Sequence, residues 1–292
     1  MNKVTVAATQ MSCTWDIADN IARASALVRE AAQQGAQIIQ LQELFETPYF
    51  CIEQNTDHLS LASSRRDSAV IKHMQALAAE LEVVLPISWY EREGQCYFNS
   101  IAVIDADGSV LGVYRKSHIP NTIGYQEKTY FTPGDTGFKV WQTRYAKIGV
   151  GICWDQWFPE AARCMVLAGA DLLFYPTAIG SEPGEPGIDS REHWRRVMQG
   201  HGAANVVPVI TSNRIGHEIA STDSNLNMDF YGNSFISDYE GAIVEQADDK
   251  TPGVLLHSFD LEEIRQYRHS WGLFRDRRPE LYGDLLTHTP AV

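Results

Sequence analysis

The chain has 292 residues, 44% of them hydrophobic and 21% charged, enough to bury one substantial core. Its 37 acidic side chains outnumber 24 basic ones, and the net charge of −13 argues against a nucleic-acid surface while mildly favouring cationic small ligands. Cysteines at 13, 51, 96, 153 and 164 form no C-x-x-C pair and are odd in number, which argues against a zinc ribbon or a disulfide framework and for reduced thiols.

In chain order, "KVTVAATQ" (3–10) reads as a strand and 19–35 as a helix stopped by Gly35. A strand over 36–43 follows, then an irregular stretch, "LFETPYFCIEQNTDHLS", and a helix over 67–82. "VVLPISWYE" (83–91) is a strand, and 97–116 is a hairpin around Asp107-Gly108. "AKIGVGIC" is the next strand, 159–169 a helix and 170–177 a strand. Beyond the Pro/Gly-rich loop 180–190 come a helix over 191–204 and a strand over 207–214. The last third is β-rich: a hairpin in "FYGNSFISDYEGAIVEQ", a strand in "GVLLHSFDL", a short helix in "EEIRQYRH" and an aromatic, charged tail over 271–292.

The N-terminal "MNKVTVAATQMSC" has no signal-peptide apolar core, and no apolar run reaches the roughly 18 residues of a membrane helix. The expectation is a soluble, cytoplasmic protein with no membrane partner. No linker or repeat divides the chain, so one domain over 1–292 is expected, built as a mixed sheet, or two packed sheets, covered by helices.

Three polar residues share one placement. Glu43 follows "IIQLQ", Lys116 closes "SVLGVYR" and Cys153 closes "KIGVGI". Ligands in α/β sheets bind beyond the carboxyl ends of strands, so such side chains can meet although distant in sequence. A thiol, a carboxylate to take its proton and an ammonium to hold an oxyanion are complementary chemistry. Each also has a plain reading: Cys153 as a small core residue, Glu43 as a loop cap, Lys116 as half of a basic surface pair.

Four segments, "LQELFETPYF", "YRKSHIPN", "YQEKTYFTPGD" and "GVGICWDQWFPEAAR", occur in the order found in the nitrilase superfamily of carbon–nitrogen hydrolases, which the chain resembles from its first strand to about residue 285. That resemblance implies an α-β-β-α sandwich of two mixed sheets packed face to face, with a catalytic triad falling on Glu43, Lys116 and Cys153. A second glutamate, steadying the lysine, falls on Glu127, and the oxyanion donor on the Trp154 amide. It further implies acyl transfer at an amide-type carbonyl without metal or cofactor. A homo-oligomer built from dimers, to which the tail contributes, is implied as well.

Within the superfamily, "YPTAIGSEP", "SNRIGHE" and "WGLFRDRRPELY" most resemble enzymes that hydrolyse a ureido group at one end of a chain bearing an ammonium at the other. The loop after residue 177 supplies Glu182, Glu185 and Asp189 as carboxylates for that ammonium, and Glu182 is the expected partner. A ureido acid would instead call on Arg191, Arg195 or Arg214. Tyr125 either lines the pocket with Trp154 or packs in the core. His118 and His201 offer a competing Cys-His base, with His118 better read as a supporting hydrogen-bond partner.

Overall fold

The computed structural model describes residues 3–185 and 187–289. Strand β1 (Lys3–Gln10) leads into α1 (Ile17–Gln33), whose first turn is capped by the Asp16 side chain. Then come β2 (Ile38–Gln40), α2 (Ala69–Leu81) with Ser68 as its cap, and the meander β3 (Leu85–Glu93), β4 (Cys96–Ile104) and β5 (Val110–Arg115). Next are β6 (Val140–Gln142), β7 (Lys147–Val150), α3 (Pro159–Leu167), β8 (Leu172–Pro176), α4 (Arg191–Asn205) and β9 (Val209–Ser212). A hairpin of β10 (Ile215–Ile219) and β11 (Asn227–Tyr231) precedes β12 (Phe235–Ser237), β13 (Ile243–Gln246), β14 (Gly253–Asp260) and α5 (Leu261–Trp271).

The strands form two main sheets. One has the order β14-β1-β2, continued through the parallel Ile38–Val84 bridge into β3-β4-β5. The other has the order β13-β12-β9-β8-β7-β6, with β7, β8 and β9 parallel. Both are mixed. Val6, Ile38, Ile101 and Val103 from the first sheet pack against Ile148, Val150, Phe174, Ile210 and Ile236 from the second. The outer face of the first sheet carries α1 and α2, through Val28, Ile71, Met74 and Leu77. The outer face of the second carries α3 and α4, through Met165, Trp194 and Met198. Four layers result, helix-sheet-sheet-helix. Each aliphatic side chain fully withdrawn from water contributes about 1.5–3 kcal/mol, so the core between the sheets and the cores beneath the helices both support the fold.

The differences from expectation lie mainly at strand ends. The second strand is three residues long rather than eight: its pairing with β1 covers only Ile38–Gln40, and the segment beyond it turns at Leu44, φ +48. Cys153 does not close a strand: β7 stops at Val150, and Cys153, at φ +41, begins the tight turn Cys153–Trp157. Phe230 and Tyr231 belong to β11, so the hairpin read over 230–246 is confined to β12 and β13. The short strand β6 and the β10–β11 hairpin carry too little apolar alternation to be read from sequence. The last three tail residues, 290–292, lie outside the described residues.

Candidate active site

The ends of three elements meet at one buried point. Lys116 follows β5 directly, and its backbone N–H is held by the Asn99 carbonyl of β4 at 2.8 Å. Its Nζ donates to Glu43 Oε1 at 2.9 Å and to the two oxygens of Glu127 at 2.8 and 2.7 Å. Lys116, Glu43 and Glu127 are all wholly inaccessible to solvent. Asn99 Nδ2 donates to Glu43 Oε1 at 2.6 Å, and the Tyr49 hydroxyl donates to Glu127 Oε1 at 2.5 Å. Glu43 Oε1 thus takes two donors, whereas Glu43 Oε2 is buried with none. A buried carboxylate oxygen left without a donor is free to take a proton.

Cys153 is presented by a sharp corner. Gly149 and Gly151 let the neighbouring layers close in: a Cβ on the first would lie 2.9 Å from Met165 Sδ, and one on the second 2.7 Å from the Tyr175 ring. Asp155 Oδ2 accepts the Ile152 N–H at 2.9 Å, closing the turn, and Pro159 opens α3 where its missing N–H costs nothing. The positive φ at Cys153 is unfavourable for a residue with a Cβ, and such strain gathers at functional sites. The sulfur is 3.8 Å from the Ala178 carbonyl oxygen.

The electrostatics follow from burial. Desolvation, then the Glu43 carboxylate, pushes the Cys153 thiol well above its ordinary value, partly offset by Lys116. Burial also disfavours the Lys116 ammonium, but Glu127 and Glu43 outweigh it and hold the lysine charged. Glu127 is raised, by burial and then against the pull of Lys116, to about 7. One ammonium shared by two dry carboxylates leaves a net negative centre, so a proton released by the thiol has an acceptor within the cluster.

Cys153 opens onto a cavity of about 290 Å³, lined among others by Tyr125, Trp154, Trp157, Glu182 and His193. Tyr125 is buried, its hydroxyl donating to the Gly180 carbonyl and accepting the Gly180 N–H, so it is both packed and pocket-lining. Glu182 is half-buried; desolvation raises its carboxyl above the usual range, and the Ser190 hydroxyl donates to it at 3.3 Å. Among the described residues no cation pairs with Glu182. Glu185 is exposed and outside the lining, and Asp189 is exposed and paired to Arg191 at 2.5 Å.

The arginines considered for a substrate carboxylate are occupied: Arg191 by Asp189, Arg195 by Glu192 at 2.8 Å, and Arg214, wholly buried, by Glu218 at 2.7 Å. The histidines are engaged too. His118 Nδ1 lies 2.7 Å from Asp155 Oδ1 and stacks on Phe158, while His201 Nε2 lies 2.7 Å from the Gln156 carbonyl oxygen. Sequence reasoning missed Asn99, Tyr49, Asp155, Trp157 and His193. A polar Asn99 inside the apolar run "FNSIAVI" was the one available signal. Among the described residues no cluster of His, Cys, Asp and Glu could hold a metal, and no helix is long and apolar enough to cross a membrane.

Comparison with known proteins puts this geometry in context. The family model for carbon-nitrogen hydrolases matches residues 5–269. An N-carbamoylputrescine amidase of Arabidopsis thaliana is 59% identical over 286 residues, covering 98% of this chain and 96% of that protein. A citrullinase of Francisella tularensis is 51% identical, with 98% and 99% covered. The crystal structure of a carbon-nitrogen hydrolase from Helicobacter pylori G27 superposes with a TM-score of 0.92 at 35% identity, over 99% of this chain and 100% of that one.

Proposed function

As the chain belongs to the carbon–nitrogen hydrolase family, we propose that it hydrolyses the ureido C–N bond of N-carbamoylputrescine, releasing putrescine, ammonia and carbon dioxide, a step of polyamine biosynthesis. It is a hydrolase of carbon–nitrogen bonds, and Cys153 is its nucleophile. Glu43 Oε2, the undonated oxygen, takes the thiol proton as sulfur attacks the ureido carbon. The Lys116 ammonium and the Trp154 N–H stabilise the oxyanion of the tetrahedral intermediate. Glu127, steadied by Tyr49, keeps Lys116 charged and in place. Glu43 then gives its proton to the departing nitrogen. Water, deprotonated by Glu43, attacks the thiocarbamate left on Cys153, and the carbamic acid formed loses carbon dioxide.

One observation carries the choice of substrate: the Glu182 carboxylate, without a cation of its own, on the wall of the cavity that Cys153 opens into. An ammonium at the far end of the substrate supplies that missing partner. A ureido acid, or an ω-amide with a distal carboxylate, would need a free cation, and the three candidate arginines already hold carboxylates. Citrulline carries an ammonium beside its carboxylate, so the citrullinase relative keeps it as a second substrate to be measured. Ammonia release from N-carbamoylputrescine, N-carbamoyl-β-alanine and citrulline tests the reading. The cationic substrate is expected to have the highest kcat/KM; faster turnover of carbamoyl-β-alanine would overturn it.

The same proposal includes a cytoplasmic site of action, which suits five unpaired cysteines. It also includes a homo-oligomer built from dimers, since the tail exposes Trp271, Leu281, Leu285 and Leu286. Light scattering before and after removal of residues 279–292 tests the assembly, with a smaller particle expected and an unchanged mass counting against it.

A further inference from the structure

Among the described residues the most deeply buried ion pair outside the proposed chemistry is Arg214–Glu218, with Arg214 wholly buried and Glu218 nearly so. A buried ion pair is poor evidence of stabilisation, because desolvation offsets much of its attraction. What this pair holds is specific. Arg214 Nη2 donates to the carbonyls of Glu43 and Leu44 at 2.8 and 3.0 Å, and Nη1 to the Thr47 carbonyl at 3.3 Å. Those acceptors lie on the turn where Leu44 takes φ +48, the turn that sends Glu43 toward Lys116. Glu218, on its other oxygen, accepts the Tyr49 N–H at 2.5 Å, and the Tyr49 hydroxyl holds Glu127. The guanidinium packs against both the Tyr49 and Phe230 rings, 5.8 and 5.2 Å from their centroids.

We propose that Arg214 and Glu218 are positioning residues for both carboxylates that flank Lys116: Arg214 fixes the backbone of Glu43, and Glu218 fixes Tyr49 and through it Glu127. This rests on the reading of Glu43 as the base and Glu127 as the support of Lys116. Only a planar fork can serve two carbonyls from one nitrogen while pairing with a carboxylate from the other, which is why lysine is not equivalent here. Neither residue is among those lining the cavity, so substrate binding is left to other groups.

The test compares the full-length wild type with Arg214→Lys and Glu218→Gln. Active sites are counted by stoichiometric labelling of Cys153, and kcat, KM and the pH profile of kcat/KM are measured per labelled site. Arg214→Lys is expected to lose about 100-fold in kcat per site, as for a misplacement on the order of 1 Å, with KM within about threefold and the acid limb of the profile displaced. Glu218→Gln is expected to lose roughly tenfold. A purely structural role would lower the melting temperature and the number of labelled sites but leave kcat per site and the profile unchanged, and that result overturns the proposal. If Arg214→Lys does not fold, Glu218→Gln decides by the same criterion. Full turnover by Cys153→Ser or Glu43→Gln would instead overturn the underlying chemistry, so the two failures are distinguishable.

Discussion

Replacing Glu182 with glutamine removes one charge and almost no volume. A charge-assisted hydrogen bond to a substrate ammonium is worth on the order of 1.5–3 kcal/mol when well desolvated. Glu182 is half-buried and already accepts from Ser190, so the lower end applies, about 1.5 kcal/mol, or roughly tenfold in kcat/KM. The assay pairs N-carbamoylputrescine with n-butylurea, which keeps the ureido group and the chain but lacks the ammonium. Glu182→Gln should cost the cationic substrate about tenfold and the neutral one less than about threefold. The pH dependence adds a second sign. Because burial raises the Glu182 carboxyl, falling pH neutralises it earlier than an ordinary glutamate, and the preference for the cation should fade with it. The glutamine variant should lack that pH-dependent fading. Equal losses on both substrates, or none on either, would refute the assignment of Glu182.

Three further outcomes are expected. Glu43→Gln removes an anion that holds the Cys153 thiol high, so charge alone would speed alkylation of Cys153 by iodoacetamide; as the base, its loss should instead slow alkylation roughly 100-fold, read by mass spectrometry of the labelled peptide. Asp155→Asn should cost about 3 kcal/mol in urea unfolding, since the carboxylate accepts from Ile152 N, the Tyr114 hydroxyl and the His118 N–H and so ties the cysteine corner to the Lys116 segment; a loss under about 1 kcal/mol contradicts this. Burial would raise the Glu53 carboxyl, but donors from Ser221 and Thr222 bring it down to about 2. A depressed carboxyl stabilises above its unfolded value near 4.5 and loses that contribution as pH falls toward 2, so the difference in melting temperature between wild type and Glu53→Gln should shrink across that interval, and a difference that does not shrink contradicts this.

Much of the fold was legible because long periodic elements report their own burial. β1, α1, α2, the β4–β5 hairpin and α4 fall within about two residues of the expected bounds. The four-layer stacking was not carried by periodicity, since an apolar strand looks alike against a helix or a second sheet; the family resemblance supplied it. In the site, Glu43, Lys116 and Cys153 were visible as polar residues ending apolar runs. Their meeting point depends on two backbone positions, Leu44 and Cys153, whose left-handed φ no sequence pattern announced. Tyr49 and Asn99 reach the cluster through tertiary hydrogen bonds 78 and 56 residues apart in sequence, and local patterns do not encode such pairings. His118 took the supporting place expected for it, on Asp155 rather than on the sulfur.

Rapid quenching of the wild-type enzyme with N-carbamoylputrescine in acid, followed by peptide mass spectrometry, is the most direct test of Cys153 as nucleophile. A carbamoyl-derived adduct should appear on Cys153, accumulate and decay on the timescale of turnover, and be absent from Cys153→Ala. An adduct on any other residue, or unimpaired hydrolysis by Cys153→Ala, would contradict the chemistry derived from the buried cluster.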